Sequence, residues 1–393
     1  MIPKNKFFLI LILLLLCFSA TVSLNDSLNP IALYVVIPIA FGISFLQEMK
    51  FKPNVYVGIL LLLYLWVLFT TFFSYDIDVS LSQLKRILGC ALLSYIIAVQ
   101  AKNEEIIKWL YIIILVLYLS SLEYANSNII SMMNEVGGRE RVTDDTLNAN
   151  TLAYYTFFSS FSIFVLGEFV KNNKFQKLYR MLFFIMIPLS FWIAIITASR
   201  QVLILQMPLI IILLYLRYFK YGTIKTRLGI IVLIVVSIMY FAGYVIEQYE
   251  SSYLAERSNI TVTEDNRFIL VKECITLGLN NLFVGVGPGC VRFFTSERVF
   301  AHNTFLELWA GTGIIGMIIY ISLLWGYFRN QIRRYKYTKD KMFVYFIVFG
   351  CFFLLDQVFY VFYTNMWLIG FFILVASHSD TYYNNKYGKI IRN

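Results

Sequence analysis

Only two histidines occur in the 393 residues, and one of them sits where chemistry could take place. His302 lies in Ala301-His302-Asn303-Thr304-Phe305-Leu306-Glu307, after the longest polar stretch and at the start of an apolar run. An imidazole titrates near neutrality, so it can accept and return a proton there. A histidine at such a boundary is also often merely structural, so its companions decide the matter. Three arginine sites accompany it: Arg200 in Ser199-Arg200-Gln201, Arg267 in Asp265-Asn266-Arg267-Phe268, and Arg139 with Arg141 in Gly137-Gly138-Arg139-Glu140-Arg141. A guanidinium presents a planar fork of donors that matches phosphate or carboxylate. Arg200 falls at a tight turn between two apolar runs, where a charge is costly unless it reaches water, a partner or a ligand. Snorkelling to the interface is the competing reading. Gly285-Val286-Gly287-Pro288-Gly289 cannot form a regular helix; it lets the backbone turn sharply or approach a ligand closely. The second histidine, His378, reads as incidental in a polar tail.

Other chemistries find less support. Two histidines on opposite sides, no CxxC and no Asp-rich motif make a dedicated metal site improbable. No nucleophile-elbow pattern accompanies His302. Gly311-Thr312-Gly313-Ile314-Ile315-Gly316 fits a dinucleotide fingerprint by letters, but it follows no strand and lies inside an apolar span. Its small residues read as allowing close helix packing. Cys274 and Cys290 could form a disulfide across the glycine turn or remain two inert thiols. Cys17, Cys90 and Cys351 read as packing residues.

The elements that must position these groups are membrane helices. The chain is 59% hydrophobic and 14% charged, with mean hydropathy +0.71. Apolar runs of about 17–20 residues recur throughout, enough to cross ~30 Å of hydrocarbon, and they are continuous rather than alternating. The expectation is an all-α polytopic membrane protein, a single integral membrane domain over 1–393. It has about twelve spans, near 7–24, 30–46, 55–74, 84–101, 108–125, 149–168, 181–198, 201–216, 228–246, 303–327, 342–358 and 361–377. The first could be mistaken for a signal peptide but lacks a convincing cleavage site.

Basic residues then orient the chain. With the N-terminus inside, the clusters Lys171/Lys174/Lys177/Arg180, Arg217/Lys220/Lys225/Arg227 and Arg329/Arg333/Arg334/Lys336/Lys339/Lys341 fall in the cytoplasm, as do both termini. The net charge of +10 is thus mostly topological and gives no reason to invoke nucleic acid. Outside, two lysines (Lys85 and Lys272) stand among eight arginines, a preference consistent with phosphate recognition or with ordinary Arg–Glu pairs. Two long external loops stand out, 126–148 and 247–302, the latter between the ninth and tenth spans. Long ordered loops usually carry function.

Ser199-Arg200, Asn266-Arg267 in a large loop, Gly285 to Gly289, then His302-Asn303 with Glu307 and Gly313, occur in an order that resembles the O-antigen ligase and O-antigen polymerase superfamily of bacterial envelope enzymes. Asn148-Ala149-Asn150 is also similar to that family. The chain departs from it at Val271 and Leu282, where Trp and Pro are frequent, which leaves the subfamily open. The resemblance implies an inner-membrane enzyme with a periplasmic site. It would transfer a glycan from an undecaprenyl-diphosphate carrier to a glycan or lipid A–core acceptor, without metal or other cofactor. The implied roles are His302, Arg200 and Arg267 as catalytic, with Arg139, Arg141, Asn303 and Glu307 binding substrate and the two loops forming a lid. Membrane lipid and a polysaccharide chain-length regulator are the implied partners. A transporter or flippase is the rival from another class; it would need ionisable residues at mid-membrane depth, such as Asp356, and repeated halves, which are not evident.

Overall fold

The computed structural model describes residues 4–23, 29–48, 53–136, 149–197, 205–225, 227–229, 231 and 266–388. Their regular elements are all helices, and the chain forms two compact units, Met1–Val116 with Val262–Asn393, and Leu117–Thr261. Six described helices are long and apolar enough to cross a membrane, which makes this an all-α polytopic membrane protein.

The first unit begins with α1 (Lys4–Val22), α2 (Asn29–Glu48), α3 (Val55–Thr71), α4 (Ile77–Gln100) and the start of α5 (Glu104–Val136). It resumes with α9 (Asn266–Asn280), α10 (Thr304–Thr338), α11 (Lys341–Asp356) and α12 (Met366–Tyr387). Short side chains set the helix starts. Asn54, Asp76, Asn303, Asp340 and Asn365 each accept a backbone N–H of the first turn that follows, the usual N-cap bond. The Asp76 cap starts α4 at Ile77, seven residues before the expected span. α10 is the frame of the site: it packs on α3, α9 and α11, and α4 packs on α3 and α12.

α12 is buried from Met366 through Ser379, apolar around its whole circumference over the first three turns, as a central helix must be. It corrects the expectation of a polar tail. The helix does not stop near residue 377, because its later polar residues find partners on other helices. Ser377 accepts from Asn54, Ser379 donates to Gln331, Arg334 pairs with Asp380 at 2.6 Å, and Thr381 donates to the Ala101 carbonyl. His378 is therefore fully buried, its Nδ1 3.1 Å from the Tyr111 hydroxyl.

The second unit packs α6 (Ala149–Phe169) against α7 (Asn173–Thr197), and α7 against α8 (Met207–Leu214), which runs on into a wider helical turn over Tyr215–Lys220. α6 buries Thr156, Ser160 and Ser162, whose hydroxyls each donate to the carbonyl four residues back and so need no outside partner. Arg217 was legible only as an orienting charge. It is buried: its Nε lies 3.0 Å from the buried Glu168 carboxylate, its Nη2 donates to Phe164 O, and its guanidinium covers the Phe164 ring at 4.0 Å. Here a loop-side cation has become an internal clamp.

The expected loop from 126 is helical to Val136, since no glycine or proline interrupts the sequence before Gly137-Gly138. Its remainder, the expected span 228–246 beyond residue 231, and residues 247–265 lie outside the described residues.

Candidate active site

The site is built around a break in α10. Gly313 takes φ 75° and ψ 175° inside the helix, a conformation that only glycine adopts at little cost. The break diverts the Ile314 N–H to the Leu282 carbonyl at 2.8 Å, so the Ala310 carbonyl loses its usual helical donor. The glycine loop supplies the replacement. Val286 N–H donates to Ala310 O and Gly287 N–H to Gly311 O, each at 2.9 Å. Trp66 Nε1 donates to Thr312 O at 2.8 Å. A Cβ at Gly313 would fall on the Phe283 carbonyl, and one at Gly285 on the Gly311–Thr312 backbone. The glycines thus let one backbone dock onto another. The sharp turn was expected; the close approach is to α10. The small residues at 311–313 likewise serve this docking rather than only helix packing.

The loop also rests on the start of α4. Tyr75 N–H donates to Val286 O at 2.9 Å, Ser80 Oγ donates to Pro288 O at 3.0 Å, and the Tyr75 ring meets Phe294 edge-on at 5.0 Å. Beneath it a closed cluster of Cys274, Val286, Cys290, Val291, Ala301 and Ala310 ties α9, the loop and α10 together. Cys274 and Cys290 are both free and fully buried. Burial pushes the Cys274 thiol up to about 12, with the Glu307 and Glu273 charges adding to it, so this thiol is not a nucleophile at neutral pH.

His302 follows this cluster directly. Its backbone is left-handed at φ 49°, a region in which histidine is enriched among non-glycine residues but still strained. Its ring is half-buried, 4.2 Å from the Phe300 ring, and Phe300 in turn meets Tyr360 edge-on at 6.1 Å. Bonds on either side of it hold the turn. Asn303 Oδ1 caps α10 by accepting from Phe305 and Leu306 N–H at 2.9 and 3.1 Å. The Glu307 carboxylate, 3% exposed, reaches back and accepts the Ala301 N–H at 2.8 Å. Both residues are expected to bind substrate; the contacts described for them lie within the turn that bears His302.

A third anchor was not legible. Thr304 N–H donates to Gln357 O, its hydroxyl donates to Tyr360 O, and the same hydroxyl accepts Phe362 N–H. The turn after α11 is thereby latched to the turn that bears His302. The only sequence signal was the polar pair Asp356-Gln357 interrupting an apolar stretch.

Arg267 stands in the first turn of α9, partly exposed, in the same unit as His302. Two turns further along that helix, Cys274 shares the buried cluster with Ala301. Glu273 accepts the Ser296 N–H at 3.1 Å and so ties α9 to the loop as well. Arg139, Arg141 and Arg200 lie outside the described residues. Among the described residues no three His, Cys, Asp or Glu side chains gather into a metal-binding cluster.

These features define a membrane-embedded helical protein whose one strained histidine is mounted beside a broken helix. Residues 181–321 match the family model described as O-Antigen ligase. That match runs from α7 to the middle of α10 and contains Arg200, Arg267, the glycine loop, His302, Asn303, Glu307 and Gly313; Arg139 and Arg141 precede it. No curated protein matches the chain.

Proposed function

We propose that the protein is an inverting glycosyltransferase of the O-antigen ligase and polymerase kind, acting at the periplasmic face of a bacterial inner membrane. The observation that carries this reading is His302: a left-handed, half-buried histidine fixed from both sides, within the stretch that matches the family. In the proposed reaction an acceptor sugar hydroxyl attacks the anomeric carbon of an undecaprenyl-diphosphate-linked glycan. The new C–O bond forms as the anomeric carbon–diphosphate bond breaks. His302 takes the hydroxyl proton, and the electron pair leaves with the diphosphate. Arg200 and Arg267, with Arg139 or Arg141 assisting, stabilise that leaving charge in place of a divalent metal. The loops at 126–148 and 247–302 would lid the sugar, in a twelve-span chain with cytoplasmic termini.

We favour a polymerase, which adds the chain to the next lipid-linked repeat unit with a chain-length regulator as partner, because the two external loops are long. The second reading is a ligase that passes the chain to lipid A–core, which the description of the matching family favours. Glycan profiling of a deletion strain separates them: loss of a polymerase leaves one repeat unit on the acceptor, loss of a ligase leaves none.

The direct test is transfer by purified protein from a lipid-diphosphate donor in EDTA. His302→Ala should lose about 10²-fold or more, the usual worth of a general base. Arg200→Lys and Arg267→Lys should be severely impaired, since a point charge cannot replace the fork. Full activity of His302→Ala would discard the general-base role, and strict dependence on added metal would discard the arginines as sole charge stabilisers.

A further inference from the structure

Phe300 lies two residues before His302, and its ring centroid stands 4.2 Å from that of the imidazole, with the planes tilted by 44°. Phe300 is itself backed. The Tyr360 ring meets it nearly perpendicularly at 6.1 Å, and Tyr360 meets Phe362 at 6.1 Å in turn. Phe362 packs on Phe353 of α11 at 5.3 Å, and Phe353 stacks on Phe372 of α12 at 4.7 Å. Phe362, Phe353 and Phe372 are fully buried. One unbroken column of rings therefore runs from His302 into the packed interior between α11 and α12. The Thr304 hydroxyl holds the column near its His302 end, donating to Tyr360 O and accepting Phe362 N–H. Backbone bonds fix the turn that bears His302, but they leave rotation of the imidazole about its two side-chain torsions open. Phe300 occupies one side of that ring and limits the rotation.

We propose that Phe300 is a positioning residue for glycan transfer. With Tyr360 behind it, its ring orients the His302 imidazole and stabilises the imidazolium that forms as the acceptor hydroxyl gives up its proton. This rests on the reading of His302 as the base and adds a second requirement to it. The proton ends on His302, and no bond to Phe300 forms or breaks. An aromatic face attracts a cation within about 6 Å of the ring centroid. The imidazole is neutral before it takes the proton, so the attraction arises only as the reaction proceeds. An interaction made only in the transition state raises kcat and leaves KM unchanged. Leucine has comparable apolar bulk without the aromatic face; tyrosine keeps the face.

The test uses the full chain in detergent micelles with isotope-labelled histidine, whose two copies give two sets of ring signals. The set lost in His302→Ala belongs to His302. Phe300→Leu should shift that set and leave the His378 set in place, which also reports that the fold is intact. In transfer from a lipid-diphosphate donor, Phe300→Leu should lower kcat about tenfold with KM unchanged. Phe300→Tyr should restore most of that loss. Phe293→Leu, which removes an exposed ring of the same loop 5.7 Å from Tyr75, should transfer as the wild type does. Should Phe300→Leu fail to fold, Tyr360→Leu, which removes the edge contact behind Phe300, should lower kcat in the same direction by less. Unmoved His302 signals in Phe300→Leu overturn the contact. Wild-type kcat in a variant whose His302 signals have moved overturns the role, as does a raised KM with kcat unchanged, which would assign Phe300 to substrate. Wild-type kcat in Phe300→Leu together with loss of transfer in His302→Ala removes Phe300 and leaves the proposed function standing. Full transfer by His302→Ala removes the base and the backing role with it, whatever the signals of Phe300→Leu show.

Discussion

At the level of single side chains, the question is which polar groups meet substrate and which hold those that do. Glu307 illustrates the difference. Its carboxylate is buried and accepts the Ala301 N–H, one residue before His302. Glu307→Gln keeps an acceptor oxygen there and should preserve the turn. Glu307→Ala strands a buried N–H and should destabilise by about 1–3 kcal/mol. Thermal melts of the two variants measure this. If Glu307→Ala melts as the wild type and raises only KM, then Glu307 binds substrate and the positioning role is wrong. The left-handed φ of His302 and the Asn303 cap belong to the same design: strain at one residue is held in place by bonds on either side of it.

Between elements, the docking of the glycine loop into the α10 break is the decisive contact. Gly313→Ala places a methyl on the Phe283 carbonyl at a backbone angle that L residues rarely adopt. It should cost more than ~2 kcal/mol, and with it the position of His302. Gly326→Ala in the same helix has open space around the new methyl and should be neutral or slightly stabilising. Melting temperature and transfer activity of this pair test the account. Equal behaviour would mean that the break does not depend on glycine. The latch from Thr304 to the 357–362 turn extends the same logic to α11.

For the molecule as a whole, the far end of the first unit is held by Asp340. Its Oδ1 caps α11 at Met342, and its Oδ2 accepts from Tyr382, Lys386 and Tyr387, each at 2.8 Å. Burial pulls its carboxyl upward, but the bonds from Lys386, Met342 N–H, Tyr382 and Tyr387 outweigh that and hold it below the usual aspartate range. The sign follows: stability from this clamp is present above an unfolded aspartate's ~3.9 and is lost as pH falls through the lower folded value. The wild-type melting temperature should drop in that acid window, and Asp340→Asn should start lower and show a smaller drop. The segments on either side of α10 also test orientation. In a cysteine-free background, a thiol at Glu297 should label from the periplasm and one at Lys339 only from the cytoplasm. Labelling from the opposite sides would remove His302 from the periplasmic face.

Class and helix positions were legible because hydrophobic length and capping are local properties. Apolar runs of span length and the Asn or Asp before them mark most helix starts within a few residues. His302, Arg267 and the glycine turn stood out for the same reason, since residue type and neighbours suffice to flag them. Pairing across the fold was not local. The break at Gly313 is a satisfied backbone only because Val286 and Gly287, more than twenty residues earlier, donate to it. The bonds that Asn303 and Glu307 make to the backbone around His302 were likewise invisible in one dimension. Polar α12 residues read as a solvated tail until Arg334, Gln331, Asn54 and Tyr111 arrive from distant parts of the chain. A buried polar group must be paired, and the identity of its partner is a property of packing that no local pattern encodes.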